Sequence, residues 1–286
     1  MPRTSQPGRS VASRLFDVLF AFSAGHSRHT LAGLTRETGL PHATVRRLAL
    51  DLVQAGALDR APDGSFTIGI RMWQLGMLAP LSVPLRAVAL PFMQDLHTAL
   101  RQHVQLAVLE GTEAILVERL SAGDAVGVIS GVGGRLPLHS SGVGKVLLAH
   151  APPGLVDKVI GQGLIAHTPR TITDRRRLRQ ALEECRQTGV ALVREEMTPG
   201  VDSVATRVID ADGRVVAALS VVVRTGSVDL RTAKPAVIAS GLAVSRSLGW
   251  DPVTGVRHGS GLGVADQPRS ADPGVSPRAG RTTASM

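Results

Sequence analysis

Residues 38–55 read TGLPHATVRRLALDLVQA, and the reading of this stretch decides what the chain is. From Pro41 to Ala55 the apolar residues Val45, Leu48, Ala49, Leu52 and Val53 recur at the spacing of a single buried helical stripe. At 3.6 residues per turn the opposite side carries Ala43, Arg47, Leu50 and Gln54, with Thr44 and Arg46 on its flanks. A short, polar and basic face suits a helix that enters the major groove of DNA. Small residues allow close backbone approach, and arginine bridges two acceptors on guanine or grips phosphate. In isolation the same pattern describes an ordinary amphipathic helix with a solvated face.

The surroundings favour the groove-binding reading. Residues 30–38, TLAGLTRET, form a shorter expected helix in which Thr30 is the cap and Leu31 and Leu34 are buried. Gly39 supplies a left-handed C′ position and Pro41 fits the opening of the next helix. Helix, tight glycine turn and helix with an outward basic face make a helix-turn-helix unit. A first helix over residues 10–24, with Val11, Leu15, Val18, Leu19 and Phe22 on one side and Gly25 at its end, completes a three-helix core. Downstream, residues 57–60 and 65–70 are two expected strands joined by Ala-Pro-Asp-Gly, a hairpin turn that makes a wing. Arg60 on this wing is placed to touch phosphate, with simple solubility as the alternative role. His42, Thr44, Arg46 and Arg47 are the expected contacts to bases or phosphates on the helix itself.

Composition is compatible with this reading. The chain has 286 residues, enough for two domains with real cores, and a formal net charge of +9. Its pI of about 11.2 favours a polyanionic partner. Aromatic residues make up 2% of the chain and tyrosine is absent, which argues against a base-stacking platform for single strands. The single cysteine, Cys185, rules out an intrachain disulfide and a Cys-based zinc cluster. No stretch reaches the roughly 18 apolar residues of a membrane span, and the N-terminus lacks a signal-peptide layout, so a soluble cytoplasmic protein is expected.

A linker helix over residues 71–80 (RMWQLGMLAP) exposes Met72, Leu75, Met77 and Trp73, for which a second copy of itself is the simplest partner. The second half opens with a long helix at 83–101 that Pro91 should kink. Strands are expected at 103–110, 113–120 and 125–130, then at 190–197, 201–210 and 214–224. Helices are expected at 143–150, at 173–188 with Thr173 as cap, and at 232–248. Cys185 falls on the buried side of the second of these. The chain from residue 251 lacks periodicity and is read as a disordered tail, and residues 1–9 as a mobile arm. The fold class is therefore α+β: a helical head with a wing, then a domain with an antiparallel sheet.

The Gly-rich stretch GVGGRLPLHSSGVGK at 131–145 is not a phosphate loop. His139 stands where such a loop needs glycine, and Val146 where it needs Ser or Thr. What remains is a helix start near Gly142 whose free N–H groups, at Gly142 and Val143, and positive dipole end suit a carboxylate, with Ser140 and Ser141 adding hydroxyls. The alternative is an ordinary capped helix. Ser203 and Ser220, on adjacent strands, offer hydroxyls to the same cavity or are satisfied core serines. His139 bonds a ligand or holds the loop. Lys145 reads as a solvated helix residue, and Glu195 and Glu196 as an acidic hairpin edge. A Ser203–His139–Asp202 triad lacks the nucleophile elbow, and the nine histidines show no metal-ligand spacing, so neither catalysis nor a cofactor is expected. A hydrolase-type enzyme and a non-specific basic DNA-binding protein are the weaker alternatives.

TGLPHATVRRL, FTIGIRMWQLG, RLPLHSSGVGKVLLA and GVALVREEMTPGVDSVATRVIDADGRVVAALSV together resemble the signature segments of the IclR family of bacterial transcriptional regulators, over roughly residues 10–248. The resemblance implies a winged helix-turn-helix head at 10–70, a linker helix at 71–82 and a GAF-like effector-binding domain at 83–250. It also implies a dimer, or a dimer of dimers, that binds operator DNA under control of a small-molecule effector. On this basis His139, Ser140, Ser141, Gly142, Val143, Ser203 and Ser220 are the candidate effector-binding residues. The most economical reading is a repressor responsive to a small organic acid. Four positions depart from the family pattern: Arg46 where His is common, Ser203 where many members carry Cys, Val193 where an acidic residue is frequent, and Arg207 where Pro is usual.

Overall fold

The computed structural model describes residues 10–23, 26–76, 78, 82–121 and 131–251. The N-terminal arm, Gly25, the strand expected at 125–130 and the tail beyond residue 251 lie outside the described residues. In the head the order is α1 (Val11–Phe20), β1 (Arg28–His29), α2 (Leu31–Thr38), α3 (His42–Gln54), β2 (Leu58–Arg60), β3 (Phe66–Ile68) and α4 (Ile70–Gly76). Thr30 caps α2 by accepting from the Gly33 N–H at 3.1 Å, and Gly39 closes it at φ +64°. There a Cβ would be strained, so glycine is the residue that permits the tight turn. Pro41 is the N-cap of α3 rather than its first helical residue; its carbonyl accepts from the N–H groups of Thr44 and Val45.

Two details of the head differ from expectation. α1 ends at Phe20, short of residue 24, and a two-residue strand, β1, pairs with β3 in the sheet order β1-β3-β2. Buried His29 accounts for both. Its Nε2 donates to the Ala21 carbonyl at 3.0 Å and its ring meets Phe22 edge-on at 5.0 Å, which turns the chain off the helix and onto the wing. Val18, Leu34, Val45, Leu48, Leu52, Leu58 and Phe66 fill the core between the three helices and the hairpin.

The remainder comprises α5 (Ser82–Leu100), β4 (His103–Glu110), β5 (Glu113–Leu120), β6 (Arg135–Pro137), α6 (Gly142–Ala149), α7 (Leu155–Gly161), α8 (Arg175–Thr188), β7 (Val190–Arg194), β8 (Val201–Ile209), β9 (Val215–Arg224) and α9 (Leu230–Ser247). β6 and α7 were not anticipated. α5 runs as one helix across Pro91. α8 is capped by Asp174, which accepts from the N–H groups of Arg176 and Arg177, and not by Thr173. α9 starts two residues early because Asp229 caps it. The strands form one antiparallel sheet in the order β6-β5-β4-β9-β8-β7.

Alternation along the strands divides the core in two. Val104, Leu106, Val204, Val208, Leu219, Val221 and Val223 face α5 and α9. Ala107, Leu116, Ala191, Ala205 and Ala218 face α6 and α8, whose Val146, Leu147, Leu178, Leu182 and Cys185 cover them. Alanine on this second face lets α6 lie close. Gly144 brings it closer still: a Cβ there would sit 2.5 Å from the Pro137 carbonyl oxygen and 2.7 Å from the Leu138 Cα.

Lys145, read from sequence as solvated, is instead 3% exposed and paired with Glu196, which is equally interior, at 2.5 Å. The two residues are 51 positions apart, so helical periodicity alone did not reveal the pair. Burial lowers the Lys145 ammonium from its ordinary range, and the facing Glu196 carboxylate opposes that shift. Burial likewise drives the Cys185 thiol up to about 12, which makes it an inert core residue.

Two stability measurements test this packing. Gly144→Ala should cost about 1–3 kcal/mol in urea unfolding, because backbone atoms stand in the way; an unchanged midpoint would mean α6 has room to move. Glu196→Gln should cost about 3–5 kcal/mol by stranding a buried charge, whereas Lys145→Met with Glu196→Leu should recover most of the loss. Losses below about 1 kcal/mol in the single variant would show a solvated pair.

Candidate functional site

The chain carries two surfaces with chemical character. On α3, Val45, Leu48, Ala49 and Leu52 are buried. His42, Ala43, Arg46 and Arg47 are exposed, and Thr44 and Leu50 are half-buried. The turn at Gly39 leaves the N-terminal half of α3 with its basic side chains on the outside. Arg60, also exposed, lies on β2 with its guanidinium 6.0 Å from the centre of the Phe66 ring. Arg28 at the other edge of this small sheet pairs with Asp63 of the wing turn at 3.0 Å, so part of the wing's charge is already matched.

The second feature is a cavity of about 560 Å³, its open mouth included, between the start of α6 and the sheet. Strand register builds its floor. Val193, Ser203 and Val222 stand side by side across β7, β8 and β9, and Ser220 faces Gln105 across β9 and β4. The α6 start forms the roof through Ser140, Ser141, Gly142 and Val143, and Leu136, Met197, Thr198 and Val201 close the sides. Gly142 is required here, since a Cβ would come within 2.6 Å of the Ser203 Oγ and 3.3 Å of the Ala205 Cβ.

Of the seven candidate effector residues, the structure brings Ser140, Ser141, Gly142, Val143, Ser203 and Ser220 to this cavity. His139 is not among the lining residues. Its Nε2 donates to the Ile165 carbonyl at 2.9 Å and its ring stacks on His167 at 5.8 Å, so it holds the loop. Burial, with lesser help from His167 and Lys145, lowers its pKa below the ordinary value, although the bond to Ile165 opposes the shift. Asp202 neighbours Ser203 on β8 and so points to the other face, where it accepts from the Thr225 hydroxyl at 2.9 Å. Ser203, His139 and Asp202 therefore each serve a different neighbourhood rather than one triad.

Among the described residues, no side chain lining the cavity is ionisable. Its polar character comes from hydroxyls, one carboxamide and the first turn of α6, where the helical ladder provides Gly142 and Val143 N–H with no partner. Ser141 caps the helix by accepting from the Gly144 N–H at 3.1 Å and donates its proton to the Pro137 carbonyl. Ser140 is spent only weakly, on the Met197 sulfur at 3.6 Å. Such a site suits a small anion with an apolar body, the charge meeting N–H dipoles instead of a counter-ion.

Gln105, Leu136, Val193, Met197, Thr198, Val201 and Val222 also line the cavity and were not chosen from sequence. For Gln105 a signal existed, a lone carboxamide in an otherwise apolar strand. The segment after β7 is drawn over the cavity by tertiary contacts. The Thr168 and Thr171 hydroxyls each donate, at 2.6 Å, to the carbonyls of Glu195 and Glu196. Arg207, on β8, places a guanidinium nitrogen 3.3 Å from the His150 Nε2. With burial as the larger cause, it helps to lower the His150 pKa.

Two family models match in tandem: the IclR helix-turn-helix domain over residues 11–62 and the bacterial transcriptional regulator IclR C-terminal domain over residues 79–246. The chain is similar to the HTH-type transcriptional regulator XynR of Escherichia coli, 30% identical over 242 residues, which span 83% of this chain and 96% of that protein. It is also 30% identical to the HTH-type transcriptional repressor AllR of the same species, over 76% of this chain and 81% of that one. Among solved structures, an IclR homologue from Microbacterium hydrocarbonoxydans complexed with 4-hydroxybenzoate superposes with a TM-score of 0.79. It is 32% identical and is matched over 84% of this chain and 99% of that one. Both halves thus match in order, and the relatives are covered over most of their length. The chain belongs to the IclR family of bacterial transcriptional regulators, DNA-binding proteins modulated by small-molecule effectors and not enzymes.

Proposed function

We propose that this regulator is a cytoplasmic, dimeric repressor whose hold on a pseudo-palindromic operator changes when a small organic acid enters the cavity beneath α6. The carrying observation is the cavity itself: apolar walls, no ionisable side chain among the described residues, and polar groups converging from one helix start and the central strands. The resemblance to a structure complexed with 4-hydroxybenzoate supports a carboxylic acid of about one ring, and the likeness to a named repressor supports the sign of regulation.

In this reading the head spans residues 10–70, a linker that takes in most of α4 spans 71–82, and the GAF-like effector domain spans 83–250. Thr44 and Arg47, then Arg46 and His42, meet bases or phosphates, and Arg60 meets phosphate from the wing. Ser140, Ser141, Gly142, Val143, Ser203 and Ser220 receive the effector, while His139 shapes the loop behind them. Exposed Ile70, Trp73, Leu75 and Leu78 around α4, together with stacked, exposed Phe16 and Phe20 on α1, are the faces that a second copy covers. Control is linkage: the effector and the operator each favour one placement of the paired heads, so each changes the affinity of the other.

Selection of random duplexes on the purified protein, followed by footprinting, should return two half-sites whose centres lie about one helical turn, or a multiple, apart. Arg47→Ala should lose about 1–3 kcal/mol of operator affinity at fixed salt; unchanged affinity removes Arg47 from the interface. With 4-hydroxybenzoate and related acids added, the wild type should shift its operator affinity. Ser203→Leu should bind DNA normally but ignore the acids, and a retained response would place the effector elsewhere. Recovery of no preferred duplex sequence would overturn the whole reading.

A further inference from the structure

We infer that Gln105 and Ser220 form a second polar pole of the cavity, and that the effector carries a hydroxyl or carbonyl group opposite its carboxylate. The inference rests on the effector-cavity reading above and deepens it. Gln105 is 3% exposed and Ser220 1% exposed, both line the cavity, and they face each other across paired strands. Among the described residues neither side chain has a hydrogen-bond partner. Their polar ends open onto the cavity, so a molecule that fills it and displaces solvent without offering them a partner loses about 1–3 kcal/mol. The groups in a position to satisfy Gln105 and Ser220 are those of a molecule in the cavity.

The placement of the two poles defines what that molecule must look like. The start of α6 lies over β8, against Ser203 and Ala205, whereas Gln105 lies on β4, two strands away across β9. Two strand spacings are about 10 Å. Less a hydrogen bond of about 2.8 Å at each end, the gap is one ring or a short chain in length. Leu136, Val143, Val193, Met197 and Val222 line the rest of the cavity, which asks for an apolar body. The carboxylate belongs at α6, where unpartnered N–H groups and the helix dipole favour negative charge. The other end belongs at Gln105, a neutral group able both to donate and to accept, which suits hydroxyl or carbonyl and has no charge to offer a second carboxylate.

Calorimetric titration of the full-length protein with benzoate, 3-hydroxybenzoate and 4-hydroxybenzoate tests this directly. The wild type should bind 4-hydroxybenzoate about ten- to a hundredfold more tightly than benzoate. Gln105→Leu should bring the two affinities together by weakening the hydroxy acid alone, and its ligand-free unfolding midpoint should equal or exceed that of the wild type. Ser220→Ala should narrow the same ratio in the same direction, which keeps the test open if the leucine variant folds poorly. A residue with only a structural role would instead lower stability and weaken all three acids together. Equal wild-type affinity for benzoate and both hydroxy acids overturns the second pole but leaves the cavity reading standing. Binding of none of the three, with operator affinity unmoved, overturns both.

Discussion

The close seating of α6 on the sheet is the constraint from which the rest of the effector-side architecture follows. Gly144 removes the Cβ that would strike the chain around Pro137, and Gly142 removes the one that would strike Ser203. Alanines at positions 107, 191, 205 and 218 keep the sheet beneath low. A helix laid this near a sheet aims its first turn at the strands instead of at solvent. Where the alanine floor gives way to Val193, Ser203, Ser220 and Gln105, a space opens under that turn.

Charge is placed to match. Among the described residues the cavity wall holds no ionisable group, yet α6 carries a buried ion pair, Lys145–Glu196. Neutralised by its partner, Lys145 anchors the segment after β7 to the helix that roofs the cavity and offers little net attraction to an anion. The backbone N–H groups at the start of α6 are held in place once the helix is seated and do not depend on a side-chain rotamer.

The head follows a different economy. Its core is small, and α3 gives one face to that core and the other to solvent. His29 secures the end of α1 to the wing through one hydrogen bond and one ring contact, so that hairpin and helices act as one body with α3 displayed on it. The apolar residues left exposed on α1 and around α4 lie on the elements that flank this body.

Much of this was legible in the chain alone, because it depends on neighbours in sequence. The cap at Thr30, the αL glycine at 39, the hairpin of β4 and β5 with its bounds, and the stripe Val45–Leu48–Ala49–Leu52 are all written within one or two turns of the residues they organise. Serines 140 and 141 were legible as hydroxyls at a helix start, and serines 203 and 220 as hydroxyls on two adjacent strands. Lys145 looked solvated because only a residue 51 positions away makes its burial tolerable. Strand β1 is two residues long, too short for alternation to register, and exists only because β3 is beside it. Gln105 could be seen as unusual, but that it looks into a space, alongside Ser220 and across from the start of α6, is a matter of strand order and register. Local periodicity thus determined which elements form and which faces they bury. Tertiary packing alone decided which polar groups are brought together and left without partners, since that depends on contacts between distant segments that no local pattern encodes.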